Sequence, residues 1–303
     1  MLNAILPIFL LIVIGFALKH YRVFSDAFWN DAEKLAYFVL FPSLLVAKMS
    51  VADLSGSELI PLMSTIWLGL ALISLITFAI KPFLKITDAS FTSLYQGAVR
   101  FNTFIGFALV ESLFGNAGLI TAVIIAAILI PALNFLVVIV LHRYGTKNEK
   151  ANFLGAVKQI IKNPLIIGCA IGIGLNLSGL ILPAPLHKTI DIIGSTALPI
   201  GLIAVGAALI FKDIRSTISP ILTASVLKFI IYPVVIFSLV RTVGFEQQTQ
   251  QIAVIFCALP TASASYIIAK NMGGDAQLMT RIITVQTIIS GVTLSAWFLI
   301  LGI

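Results

Sequence analysis

Charge is the scarcest resource in this 303-residue sequence. Lys, Arg, Asp and Glu together make up 10% of it, where a soluble domain of this size carries about 25%. That shortage excludes a soluble enzyme, a disordered chain and a nucleic-acid binder, and the formal net charge of +7 carries no such meaning here. Cysteine is nearly absent. Cys169 and Cys257 each sit inside an apolar run without a CxxC neighbour, which argues against a disulfide framework or a zinc site and for small core thiols. The three histidines, His20, His142 and His187, fall at segment ends and form no ligand cluster. HExxH, GxSxG and Walker A patterns are missing, and Gly273-Gly274-Asp275 has no partner aspartate, so neither an enzyme nor a cofactor is expected. The first apolar run, Ala4–Leu18, has no basic stretch before it. Lys19, His20 and Arg22 follow where a signal peptidase would need small residues, so the run reads as a spanning helix.

What the sequence has is apolar length: 59% hydrophobic residues and a mean hydropathy of +1.10. Runs of about 17–25 residues, enough to cross a bilayer, recur with short polar gaps. Ten spans are predicted, over 3–19, 33–52, 58–80, 90–113, 117–141, 163–179, 189–211, 217–240, 249–270 and 277–301. The expected fold class is an all-α polytopic membrane protein. The longest hydrophilic stretch, His142–Lys162, divides it into a five-span half over 1–142, a basic linker over 143–162 and a second half over 163–303. A shift of 157 residues lays Pro7 on Pro164, Gly15 on Gly172 and Pro42 on Pro199; a shift of 158 lays Thr103 on Thr261 and Gly115 on Gly273. An odd number of spans per half makes the second half enter the membrane from the opposite side, which is the inverted repeat of many secondary transporters.

The basic residues are distributed unevenly about these spans. Fourteen of the 19, among them Lys19, Arg22, Lys81, Lys85, Arg143, Lys212 and Arg281, fall at odd-numbered loops and the adjoining span ends. Lys48, Lys188 and Arg241 fall on the other side, and Arg100 and Lys228 lie within spans. The asymmetry places odd loops in the cytoplasm and both termini outside.

Spans 4 and 9 carry the chemistry. Arg100, Asn102, Thr103 and Gly106 interrupt the first, and Pro260, Thr261, Ser263 and Ser265 the second, at matching places in the two halves. A broken helix is tolerated in a membrane only inside protein or beside a wet cavity, and half-helix N-termini there favour an anion. A central arginine costs about 2.5–3.5 kcal/mol on the lenient insertion scale, so Arg100 should face the interior. Its planar fork suits a carboxylate, while an ion pair with Glu111 or snorkelling would be purely structural. Lys228, central in span 8, reads as a substrate or coupling group, or as support for the Pro233 region. Glu111 reads as a solvated rim residue. Gln286, Thr287 and Asn134 read as interhelical hydrogen-bond formers, and Pro42 and Pro199 as residues that shape the bundle.

RFNTFIGFAL, LFGNAGL and ALPTASASYIIAKNMGGDAQL, with LFPSLL in span 2 and ALPIGLIAVGAAL in span 7, resemble the auxin efflux carrier family in its bacterial permease branch. The resemblance covers nearly the whole chain. It implies ten helices in two inverted five-helix repeats, with helices 4 and 9 crossing where they unwind beside the substrate. By resemblance Asn102 and Pro260 stand at that crossing. Helices 1, 2, 6 and 7 would form a scaffold that mediates a homodimer in the lipid, and helices 3–5 and 8–10 a mobile unit in an elevator-like cycle. Family substrates are small organic anions: auxin in plants, malate or malonate in bacteria. Span 4 departs from plant members in lacking a proline at the crossing, which implies a milder break; the long cytoplasmic loop of plant members is also absent. Beside the anion permease stand a sodium-coupled symporter similar to the bile-acid carriers and a membrane sensor that binds without transporting. The substrate-binding candidates are Arg100, Asn102, Thr103, Lys228, Pro260, Thr261 and Ser263.

Overall fold

Hydrocarbon offers no partner to a backbone N–H or C=O, so a lipid-embedded chain of this composition must pair these groups within itself. The computed structural model describes residues 2–52, 59–146 and 163–303, and no strand occurs among them. Most of the basic linker, from residue 147 on, lies outside the described residues. The helices are α1 (Leu2–His20), α2 (Asp26–Leu35), α3 (Phe41–Met49), α4 (Leu59–Ile80), α5 (Asp88–Val99), α6 (Thr103–Tyr144) and α7 (Pro164–Leu177). They continue with α8 (Ala184–Ser195), α9 (Ala197–Ala207), α10 (Ile218–Val226), α11 (Tyr232–Val243), α12 (Gln247–Cys257), α13 (Ser265–Met272) and α14 (Ala276–Leu301). Six helical stretches are long and apolar enough to cross a membrane, and Pro164–Leu177 is a shorter apolar helix. The chain is an integral membrane protein.

Several predicted spans are composite. Span 2 is α2, a π turn over Ala36–Leu40, and α3; span 8 is α10, a π turn over Leu227–Ile231, and α11. Each π turn ends just before a residue pair whose second member is proline, Pro42 or Pro233. Proline lacks an N–H and clashes with the carbonyl four residues back, and a widened turn accommodates it. The carbonyl that Pro233 leaves free is that of Phe229, and Trp297 Nε1 donates to it at 2.8 Å. Spans 4 and 5 share α6, whose two helical stretches join at Gly115 with φ 62° and ψ −155°, a conformation open to glycine.

The packing is inverted relative to a soluble protein. On α14, Gln286, Thr287 and Ser290 are buried together with Met279, Ile283 and Phe298, while Val292, Leu299 and Ile300 face outward. The outward face of α1 is likewise apolar, with Leu6, Leu10 and Val13 exposed. Without a hydrophobic force between helices in lipid, close van der Waals contact must hold them, and small residues permit it. A Cβ on Gly15 would collide with the Ile203 carbonyl and one on Gly206 with that of Ile12, so α1 and α9 touch backbone to backbone. Gly168 and Gly172 of α7 admit Pro42, Leu45 and Met49 of α3 in the same manner, and Gly194 of α8 admits Leu44.

These contacts sort the helices into two bodies, which α6 bridges by packing on α1, α3, α7 and α9. α1 packs chiefly on α9, and α3 on α7 and α8. In the second body α5 packs on α6, α10 and α14, and α11 on α4 and α12. Substituting Gly206→Val should wedge α1 from α9 and cost about 1–3 kcal/mol, as overpacking does. Gly174, with open space around it, serves as the control. Thermal unfolding in detergent should show a lowered midpoint for Gly206→Val and none for Gly174→Ala.

Candidate functional site

Two helices stop inside the second body and meet there. α5 ends at Val99, and Arg100 leaves it in an extended conformation with φ −75° and ψ 158°. α6 begins at Thr103. α12 ends at Cys257 and α13 begins at Ser265, with Pro260 between them. The first break is no milder for lacking a proline. Asn102 takes the N-cap position, its side-chain oxygen accepting from Ile105 N at 3.2 Å, and an N-cap starts a new helix as firmly as proline stops an old one.

The groups freed by the breaks satisfy one another. Asn102 N donates to the Pro260 carbonyl at 2.8 Å. Gln286 of α14 is fully buried and serves both sides: its Oε1 accepts from Thr261 N at 3.0 Å, and its Nε2 donates to the Gly97 carbonyl at 3.0 Å. Thr261 Oγ1 adds a bond to the Gln96 carbonyl at 3.3 Å. Gly106 lets the first turn of α6 lie against Leu259, which a Cβ would approach at 2.6 Å.

In front of this crossing lies a cavity of about 1020 Å³ between the two bodies. One wall is a stripe of α2 and the following π turn, Asn30, Glu33, Tyr37 and Phe38, continued by Phe41. The other is Arg100–Phe104, the C-terminal part of α6 around Asn134, and Ala262–Ala264 with α13. Most lining side chains are apolar, as in small-molecule sites generally. Four of the candidates named from sequence, Arg100, Asn102, Thr103 and Ser263, share this lining. Pro260 and Thr261 do not line it; they form the crossing behind it.

Lys228 is elsewhere. It lies in the π turn before α11, fully buried, and is not among the lining residues. Its Nζ has no hydrogen-bond partner and stands 5.1 Å from the centroid of the Tyr232 ring, beside Cys257 at the end of α12. It is therefore near the crossing but at its rear.

The cavity lining carries charge of both signs, Arg100 and Lys34 against Glu33. Arg100 Nη1 donates to Asn134 Oδ1 at 3.0 Å, and Asn134, not Glu111, is its partner. Arg100 Nε and Asn102 Nδ2 are buried donors without partners. The N-terminus of α6, capped by Asn102, brings the positive end of its dipole to the same place. Sequence reasoning passed over Glu33 and Tyr37. Asn30, Glu33 and Tyr37 recur at intervals of three and four, a one-face stripe, and that periodicity was the available signal.

Residues 1–298 match the family model described as Membrane transport protein. An uncharacterised transporter of Methanothermobacter thermautotrophicus is 23% identical over 302 residues, covering 99% of this chain and 98% of that protein. An uncharacterised transporter of Methanocaldococcus jannaschii is 20% identical, covering 98% and 97%. A Rhizobium meliloti protein named "Putative malonate transporter" is 25% identical over 153 residues, covering 50% of this chain and 48% of that one.

The double role of Gln286 can be tested directly. Gln286→Met keeps the volume but orphans Thr261 N and the Gly97 carbonyl, at about 1–3 kcal/mol each. Gln286→Glu keeps an acceptor and should fall between. Unfolding midpoints in detergent should rank wild type above Gln286→Glu above Gln286→Met.

Proposed function

Because the chain belongs to the Membrane transport protein family, we propose that it is a secondary transporter of small organic anions whose carboxylate is held at Arg100 and Asn102. The observation that carries this reading is the pair of buried, unpartnered donors, Arg100 Nε and Asn102 Nδ2, on residues that line one cavity. A buried donor without a partner costs about 1–3 kcal/mol, and a ligand that supplies an acceptor recovers it. Thr103 adds a hydroxyl at the α6 N-terminus, and Ser263 one from the facing loop. Pro260 and Thr261 hold the crossing that positions them, while Lys228 lends positive field from the rear.

The substrate class follows from the charge count. Arg100 and Lys34 are the cations of the lining and Lys228 lies outside it; Lys34 is paired with Asp31, so Arg100 is the cation left for a ligand and the site fits one carboxylate with an apolar body, or a half-protonated dicarboxylate. The malonate in the name of the Rhizobium meliloti relative belongs to the second group. The two bodies suit an elevator-like cycle. In this reading the body holding α5, α6, α12, α13 and α14 carries the substrate past a scaffold of α1–α3 and α7–α9, which dimerises in the lipid. Two inverted five-helix repeats, split by the linker, generate the symmetry. The cavity is lined by residues near the basic odd loops, such as Asn30, Lys34 and Met272, and with those loops cytoplasmic it opens inward, both termini lying outside the membrane. A sodium-coupled mechanism is disfavoured, because the buried side chains at the crossing, Asn102, Thr261 and Gln286, include no carboxylate to offset a bound cation.

Uptake of labelled monocarboxylates, malate and malonate into proteoliposomes tests the proposal. Arg100→Ala removes a charge-assisted contact worth about 1.5–3 kcal/mol, so transport should fall roughly 10- to 150-fold. The unfolding midpoint should hold, since the Arg100 side chain bonds to Asn134 and its backbone bond to the Gln96 carbonyl survives in alanine. Uptake by Arg100→Ala at the wild-type rate would remove the arginine from the site.

A further inference from the structure

The cavity contains a carboxyl group as well as a guanidinium, and the two do not pair. Glu33 lines the α2 wall, and its one hydrogen bond comes from Ser263 Oγ, which donates to Glu33 Oε1 at 3.3 Å. Arg100, on the opposite wall, is bonded to Asn134. The other charged and titratable groups around Glu33 do not neutralise it. Lys34 is engaged by Asp31 at 2.9 Å in solvent. Tyr37, one turn along α2, carries no charge at neutral pH. α9, which packs against α2, contains no titratable residue, and the facing loop and α13 contribute Ser263 and Asn271 to the lining.

An anion at Arg100 would therefore share a largely apolar cavity with an uncompensated carboxylate. Like charges in so confined a space exclude one another, and the system relieves this by binding a proton to one of them. We propose that Glu33 is the proton-binding site of the transport cycle, taking up one proton from water at the open cavity whenever the substrate carboxylate docks at Arg100. The neutral acid removes the repulsion and can donate a hydrogen bond, while its other oxygen still accepts from Ser263. Anion and proton then cross together, and both leave to water on the far side.

The contact also lies on the boundary between the bodies. Glu33 belongs to α2 and Ser263 to the loop between α12 and α13, so movement of one body past the other must break it. Substrate, proton and boundary contact thus meet at one side chain.

The inference rests on the anion reading above, and one experiment separates their failures. Uptake of 3-phenylpropanoate is followed in proteoliposomes with an internal pH dye, taken as the excess over protein-free liposomes that report passive entry of the neutral acid, and its Kd is measured from pH 6 to 8. Linkage of one proton makes wild-type affinity fall by up to about tenfold per pH unit, with proton entry accompanying the anion. Glu33→Gln keeps the size and the acceptor for Ser263; it should take up the anion without proton entry and with a flat pH dependence. Glu33→Asp should keep the coupling. Proton entry persisting in Glu33→Gln, or anion uptake by wild type without protons, overturns the role of Glu33 and leaves the anion transporter standing. If Glu33→Gln fails to fold, the wild-type proton and Kd measurements still decide. Absence of binding and uptake of every carboxylate tested, by folded wild type at any pH, overturns the anion reading itself.

Discussion

A backbone amide or carbonyl left unpaired in a protein interior costs about 1–3 kcal/mol, and lipid cannot supply the partner. Two interrupted helices in one membrane domain multiply that cost. Here the interruptions answer each other: Asn102 N bonds to the Pro260 carbonyl, and the amide of Gln286 bonds to Thr261 N on one side and to Gly97 O on the other. The remainder of the site depends on this. Only because the breaks are paired can Arg100 leave its helix in an extended conformation and α6 begin afresh at an N-cap.

The same pairing divides labour between the two faces of the crossing. Its front is wet in character, with Arg100, Asn102, Thr103 and Ser263 around a cavity; its rear is closed, with Lys228, Tyr232 and Cys257 packed and buried. The bodies on either side of the cavity differ in how they are held. Backbone-to-backbone contacts at glycine bind α1 to α9 and α3 to α7, whereas between the bodies the contacts run through side chains: Phe104 against Gly201 and Phe41, Ile210 N to Thr284, and Ser263 to Glu33.

Much of this is written in the sequence because the background is so apolar. Against 59% hydrophobic residues, Arg100, Asn102 and the Pro260-Thr261 pair stand out without any structural knowledge, and their positions coincide with the two observed breaks. What a sequence does not carry is helical phase relative to neighbours. Lys228 is as conspicuous as Arg100, but its turn directs it behind the crossing. Glu33 sits where a predicted span begins, yet α2 turns it to the cavity wall. The clamp by Gln286 joins residues 189 apart in the chain, a distance over which periodicity says nothing. The depth of the first break was also underestimated, since the absence of proline was weighed and the capping ability of Asn102 was not.

That separation has a consequence for how the protein is made. α5 is synthesised long before α14, and its last-turn carbonyl at Gly97 has no permanent partner until Gln286 arrives. α1 waits similarly for Ile203 and Gly206. A ribosome delivering helices in order therefore releases into the bilayer a succession of elements whose native contacts lie in chain yet to be translated. The halves of the crossing must be kept from other partners, by the insertion machinery or by one another, for most of the time needed to make the chain. α14 does more than pack on its neighbours: it is the stroke that locks the breaks, so a chain stopped just short of Gln286 would be open at its centre.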